Sequence, residues 1–407
     1  MRIFWKECKK ILDIRLLLVL GIFTFLFYYM FMEIPIYPSG GQNTDSPYDI
    51  PFMAKLVEKY GPTLPAADRS VADEVLGELK EKCDGIIAED EILQRAGICT
   101  YDAMESKHEE IYEKPEEEHS GEEQALLAEM DKLIFENEEF SRTKFEIQQM
   151  EGVYEFAEVE YGVPKADAET FIEEMYGETA TELYKTAMVQ RCTKEEISLI
   201  PEGVFYIIQE DMRYMALLLL ICFTVLMVAY QIKERMREVI PLYATTQTGR
   251  RIFRKQFFAG IVSCGFVGII QMLIYFGIYT GKGLLVFSSC PAWGYATNNC
   301  WLDFLPFGVY MILYMFLVWL FAMTGLVLAY LIGRKAVNYI AGIALSIPFC
   351  GAVGVLGMWM FNRLFGIYET DRIAFFELIV LAGWMLFAGI LLVIRFRSDK
   401  RRDIVEA

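Results

Sequence analysis

Lysine and arginine crowd the stretch Gln231 to Gln256, QIKERMREVIPLYATTQTGRRIFRKQ, which lies between two apolar segments. Their chemistry is that of binding rather than of bond-making, and charge of this sign holds a loop on the cytoplasmic side of a membrane. Pro241, Leu242, Tyr243 and the polar turn TTQTG before Arg250 and Arg251 add what a plain charged loop does not need. We read a short amphipathic helix closed by a glycine turn. It would offer Leu242 and Tyr243 to a cytosolic partner, while Arg250, Arg251, Arg254 and Lys255 meet lipid headgroups.

Elsewhere the residue types that do chemistry are not spaced for it. Gly277 to Gly283, GIYTGKG, comes nearest to a phosphate-binding loop, but it is one residue short and lacks the Ser or Thr that holds magnesium. The two histidines, His108 and His119, sit in a Glu-rich stretch with no cysteine pair at ligand spacing, which reads as a solvated charge run rather than a metal site. There is no Gly-x-Ser-x-Gly elbow and no His-Glu-x-x-His pair. No catalytic residue is assigned, and the chain is read as a non-catalytic subunit without a cofactor of its own.

The elements that position the basic loop are membrane spans. Of 407 residues, 55% are hydrophobic, and the mean hydropathy is +0.30, too apolar for a soluble domain of this size. Runs of about 20 apolar residues fall at 16–32, 214–230, 257–279, 307–332, 336–360 and 374–394. The expected fold is all-α: a polytopic membrane protein of about six helices with a helical extracytoplasmic insert. Residues 1–33 form an N-terminal helix and the first span, 34–212 the insert, and 213–407 five further spans with the loop 231–256.

Charge sets the orientation. Roughly 44 of the 55 acids lie between Glu33 and Asp211, against about 15 bases, so the rest of the chain is net basic although the total is -17. Basic clusters at the N-terminus, in the 231–256 loop, at Arg334 and Lys335, and at the C-terminus all fall on one side of six spans. That side is expected to be cytoplasmic, with both termini there and the acidic insert outside. GIYTGKG then lies on the outer side. The first apolar run has no small-x-small site after Met32 and is read as a retained anchor rather than a cleaved signal.

Phe4, Cys8, Ile11 and Leu12 recur at helical spacing, which suits either a helix lying along the inner leaflet or the start of the first span. In the insert, 53–60, 70–82, 124–138, 166–175 and 178–189 favour helix, and 112–123 reads as a charged, Pro-interrupted loop. Residues 197–208 are apolar and Pro-broken, as if to dock on the membrane surface. Cys290 and Cys300 bracket a Trp, Tyr and Asn-rich loop and could close it as a disulfide, with Cys83 and Cys99 a second pair; unpaired thiols are the alternative. Within the spans Glu377 is the main charge, which argues against ion coupling as the energy source. Pro348 with Gly351, Gly354 and Gly357 suggests a broken helix or close packing, and 361–372 either re-enters the outer leaflet or forms a short external loop.

These features together resemble the membrane subunits of ABC-2 type ATP-driven exporters. Such subunits have a basic amphipathic N-terminus, about six spans, a cytoplasmic loop after the second span and broken outer helices before the last. Their loop tends to read as an acid, a Pro-Leu-Leu, a Thr-rich turn, Gly-Arg-Arg and a Lys. Here Glu234 or Glu238, Pro241, Leu242, Thr245, Thr246, Gly249, Arg250, Arg251 and Lys255 match in order, with Tyr243 beside them.

The resemblance implies that this segment is a coupling helix docked on a separate cytosolic ABC ATPase that carries the ATP and magnesium. It further implies a second permease copy or homologous permease, a bacterial plasma membrane with its lipids, no nucleic acid, and export of a peptide, antibiotic or lipid-like substrate. The large insert departs from exporters of lipid and polysaccharide and resembles a subgroup with big external domains. The alternatives are a mechanotransmitting ABC membrane protein that moves nothing across the bilayer and a peptide-sensing receptor.

Overall fold

The structure, a computed structural model, describes residues 2–32, 49–115, 119–236, 252–292 and 301–401. The protein is an all-α polytopic membrane protein, with six helices among the described residues long and apolar enough to cross a bilayer. The chain divides into a membrane unit, which takes in both N-terminal helices and Val204–Ala292 with Cys300–Ala407, and an insert unit within Asn43–Gly203.

In the membrane unit a short helix α1 (Arg2–Ile11) precedes the first span α2 (Ile14–Phe31). Asp13 separates them: its backbone is extended and its carboxylate accepts from the Arg15 amide at 3.1 Å, a side-chain cap on α2. So α1 is a helix of its own and not the start of the span. Cys8 and Ile11 of its apolar stripe are buried, and the Cys8 thiol lies 3.9 Å from the Ala259 carbonyl. The large apolar side chains that α1 leaves exposed are Ile3 and Trp5.

The second span, α11 (Glu202–Met236), is buried on almost every side and forms the axis of the unit. Around it stand α12 (Ile252–Gly281), α13 (Phe307–Lys335) and α14 (Tyr339–Arg363), and α15 (Phe376–Arg401) packs against α13 and α14. Glycines let three of them approach. A Cβ on Gly268 of α12 would lie 2.7 Å from the Phe223 ring, one on Gly325 of α13 would strike Leu220, and one on Gly354 of α14 would lie 2.7 Å from Leu217. Pro348 stands inside α14 without ending it. Gly354 and Gly357 explain the glycine-rich stretch as packing, Gly357 against Phe321, whereas Gly351 faces open space.

The segment after α14 is folded against α13. Phe365 takes a φ of 65°, uncommon for a residue with a Cβ, and is buried beside Tyr310 and Tyr314. Arg363 ties the segment to Asp371 at 2.7 Å and to Glu377 at 3.4 Å. Glu377 is therefore an ion-paired residue at the end of its span.

The insert unit comprises α3 (Asp49–Tyr60), α4 (Ser70–Ile87), α5 (Glu91–Arg95), α6 (Tyr101–Tyr112), α7 (Gly121–Glu136), α8 (Glu138–Glu160), α9 (Lys165–Tyr176) and α10 (Glu182–Cys192). An antiparallel pair, β1 (Thr63–Pro65) and β2 (Glu196–Ser198), accompanies them with Leu64 opposite Ile197. Leu79, Cys83 and Ile87 of α4 and Phe140, Ile147 and Met150 of α8 are buried in its core. The stretch 197–208 divides between β2 and the first turns of α11. Cys83 and Cys99 are not joined: the first is buried and the second exposed, and both are thiols.

The described residues on either side of 116–118 are held by a cap and an ion pair. Ser120 and Glu123 close a capping box at the start of α7, and Lys114 pairs with Glu123 at 2.7 Å. The Lys114 hydrogen bond, followed by those from Ser120, brings the Glu123 pKa down to about 2.

Candidate functional site

The stem of the basic loop is built from α1, the end of α11, the start of α12 and the end of α13. Glu7 lies one turn before Ile11 on α1, and Glu234 lies one turn after Tyr230 on α11. Each is only 3% exposed. Lys10 serves both, 2.9 Å from the Glu7 carboxylate and 3.2 and 3.3 Å from the two oxygens of Glu234. Tyr230 donates its hydroxyl to Glu7. Burial pulls the Lys10 pKa down, but the hydrogen bond and charge of Glu7, with those of Glu234, outweigh it and hold the ammonium above its ordinary range.

A second tie runs beside the first. Lys233 bonds Asp13, the cap of α2, at 2.7 Å, and that hydrogen bond is the largest reason the Asp13 carboxyl sits below its ordinary range. A third crosses to α13. Arg235 donates to the carbonyls of Arg334 at 2.7 Å, Lys335 at 3.3 Å and Ala336 at 2.6 Å. The last carbonyls of a helix have no partner within it, and a guanidinium fork meets several at once.

The start of α12, where the chain returns from the loop, is held from the same place. Arg334 lies over the Phe253 ring at 4.1 Å, and the Tyr330 hydroxyl donates to the Phe253 carbonyl at 3.4 Å. Arg254 lies over Phe396 at 5.5 Å, and Phe257 packs edge-on against Tyr330 and Phe396. Both feet of the loop are thus fixed to helices that cross the membrane.

Of the site residues read from sequence, Glu234 is described, and its carboxylate is engaged within the chain. Glu238, Pro241, Leu242, Tyr243, Thr245, Thr246, Gly249, Arg250 and Arg251 lie outside the described residues, as does the loop that ends at Cys300. Cys290, at the other end of that loop, is buried. His108 bonds Asp131 at 3.0 Å and His119 meets the Lys114 carbonyl at 3.1 Å, and no group of three metal-ligating side chains occurs among the described residues.

Sequence reasoning missed the polar groups inside the membrane unit. Asp211 is fully buried and accepts from the Tyr275 hydroxyl at 3.0 Å. Gln271, one turn away on α12, reaches Thr24 of α2 at 3.0 Å and the Cys222 sulfur at 3.4 Å, and its backbone carbonyl accepts from Tyr28 at 3.0 Å. The signal was present: Asp211, Met215 and Leu218 share one face when the helix is started at Glu202 rather than at the first uninterrupted apolar run.

Compared with models of known protein families, with curated proteins and with solved structures, the chain matches none.

Proposed function

We propose that this chain is the membrane-spanning subunit of an ATP-driven exporter, and that the loop between α11 and α12 receives the push of a separate cytosolic ATPase. The observation that carries the reading is the shared Lys10: one cation joins α1 to the end of α11 through two buried carboxylates. A loop that only linked two spans would not need its feet tied to α1, α2 and α13. A loop that transmits force does, because a push on an unanchored segment is lost in that segment.

In this reading the basic ends of the spans and both termini face the cytoplasm, and the acidic insert lies outside. Glu238, Pro241, Leu242, Tyr243, Thr245, Thr246, Gly249, Arg250 and Arg251 meet the ATPase. Glu234 holds the stem and does not touch the partner. ATP binding draws two ATPases together, the stem passes the motion to α1 and α11, and two permease subunits rock apart to release a peptide, antibiotic or lipid-like substrate. The chain itself performs no bond-making step.

The test is to purify the tagged full-length protein from its native cell in mild detergent and identify what co-elutes by mass spectrometry. A stoichiometric ATP-binding subunit supports the assignment. Its reproducible absence shifts the assignment to a membrane receptor.

A further inference from the structure

At the end of the membrane unit where α1 gives way to α2, a cleft of about 330 Å³ opens between α2, the end of α11 and the start of α14. Its lining changes character along its length. Leu16 and Val19 of α2 and Leu226 and Ala229 of α11 make the apolar part. The polar part lies where helices begin or end: Lys10 in the last turn of α1, Asp13 and Arg15 at the start of α2, Lys233 in the last turn of α11 and Tyr339 at the start of α14.

Val19 is four residues inward from Arg15, about 6 Å of helix, and Leu226 is seven residues inward from Lys233, about 10 Å. Charge at the ends of the spans with apolar wall running inward repeats the order of a lipid, headgroup first and hydrocarbon after it. Val19 is 62% exposed, so the apolar part is open to the bilayer.

The polar groups show what the head must supply. Lys10 is claimed by Glu7 and Glu234 and has nothing left to offer. Asp13, the one acid in the lining, is met by Lys233 and by the Arg15 amide. Lys233 keeps ammonium hydrogens beyond the one it gives Asp13. Among the described residues neither the Arg15 guanidinium nor the Tyr339 hydroxyl makes a hydrogen bond, and both are exposed. The cleft thus presents a free cationic fork with further donors and lacks an anionic acceptor. Phosphate oxygens fit a guanidinium fork, and basic clefts between spans hold lipid headgroups in this way.

We propose that this cleft binds one membrane phospholipid, with its phosphate on Arg15, Lys233 and the Tyr339 hydroxyl and an acyl chain along Val19 and Leu226. The site faces the bilayer and does not depend on the exporter reading.

The test is native mass spectrometry of the full-length protein, delipidated in mild detergent and titrated with phosphatidylglycerol or with the diacylglycerol of the same chains. One phosphatidylglycerol should bind at least about tenfold more tightly than diacylglycerol, the scale of hydrogen bonds to a charged group. Arg15→Gln should remove that preference, and Arg15→Lys should restore part of it. Val19→Trp should fill the cleft and displace the lipid at a position too exposed to disturb the fold. Arg397→Gln, at an exposed arginine near the end of α15 and outside the cleft, should change nothing. Equal binding of the two lipids, unchanged binding in Arg15→Gln, or an equal loss in Arg397→Gln would overturn the proposal. So would glycerol phosphate binding as tightly as the lipid, which would make the occupant a soluble phosphate compound.

Discussion

Lys10 and Glu234 stand 224 positions apart in sequence and meet at 3.2 Å, with Glu7 on the other side of the same ammonium. Two buried carboxylates on one lysine make the stem sensitive to any loss of that charge. The consequences can be measured one residue at a time.

Lys10→Met leaves Glu7 and Glu234 facing each other without their cation. We expect a loss of about 1–3 kcal/mol, the scale of hydrogen bonds to charged groups, read as a lower unfolding midpoint in detergent. Adding Glu234→Gln should restore much of it. If the double variant is as unstable as the single, repulsion between the carboxylates is not what Lys10 relieves.

Arg235→Met strips three hydrogen bonds from the end of α13. Amide exchange should rise over residues 332–338 by roughly the factor of ten that about 1.4 kcal/mol represents, with α15 unchanged. Unaltered exchange there would show that the carbonyls are met by other groups.

Gly268→Leu puts a side chain where a Cβ alone would come within 2.7 Å of Phe223 and 3.1 Å of Trp319. Both rings are held in packed helices, so about 1–3 kcal/mol of destabilisation is expected, measured as a fall in the unfolding midpoint. Gly277→Leu on the same helix meets nothing within 4 Å and serves as the control.

The stem should be insensitive to pH across the physiological range. Asp13 is lowered from 3.8, so its pairing with Lys233 contributes fully above that value and is lost as pH falls through the lower folded value. Lys10 is raised from 10.5, so its contribution is full below that value and is lost as pH rises through the higher one. Unfolding midpoints of the wild type and of Lys233→Met should run parallel between about pH 5 and 9 and converge only in acid. A divergence near neutrality would place another titrating group in the stem.

The six spans were legible because a run of about 20 apolar residues matches the thickness of a bilayer and is longer than the core face of a soluble helix requires. Much of the insert was legible too, through segments such as 70–82 that begin α4. Helix α8 was not: its buried Phe140, Ile147 and Met150 are interleaved with charged residues and its apolar positions do not form one clean stripe, so partnership with α4 rather than pattern holds it. The stem was invisible for a different reason. Glu7, Lys10 and Glu234 look like three more solvated charges until folding brings positions 224 apart together. The α1 stripe was seen, but its partner, the first turns of α12, could not be read from spacing.

The central claim, that the loop on this stem recruits an ATPase, is tested most directly by the combined variant Leu242→Asp, Arg250→Glu, Arg251→Glu. The quantity to measure is ATP-binding subunit recovered per tagged chain, beside the wild type. The expected result is normal membrane insertion and an unfolding midpoint near wild type, with roughly tenfold less ATPase recovered, the factor that a loss of about 1.4 kcal/mol in binding represents. Equal recovery from variant and wild type would contradict the assignment of the loop as the coupling element.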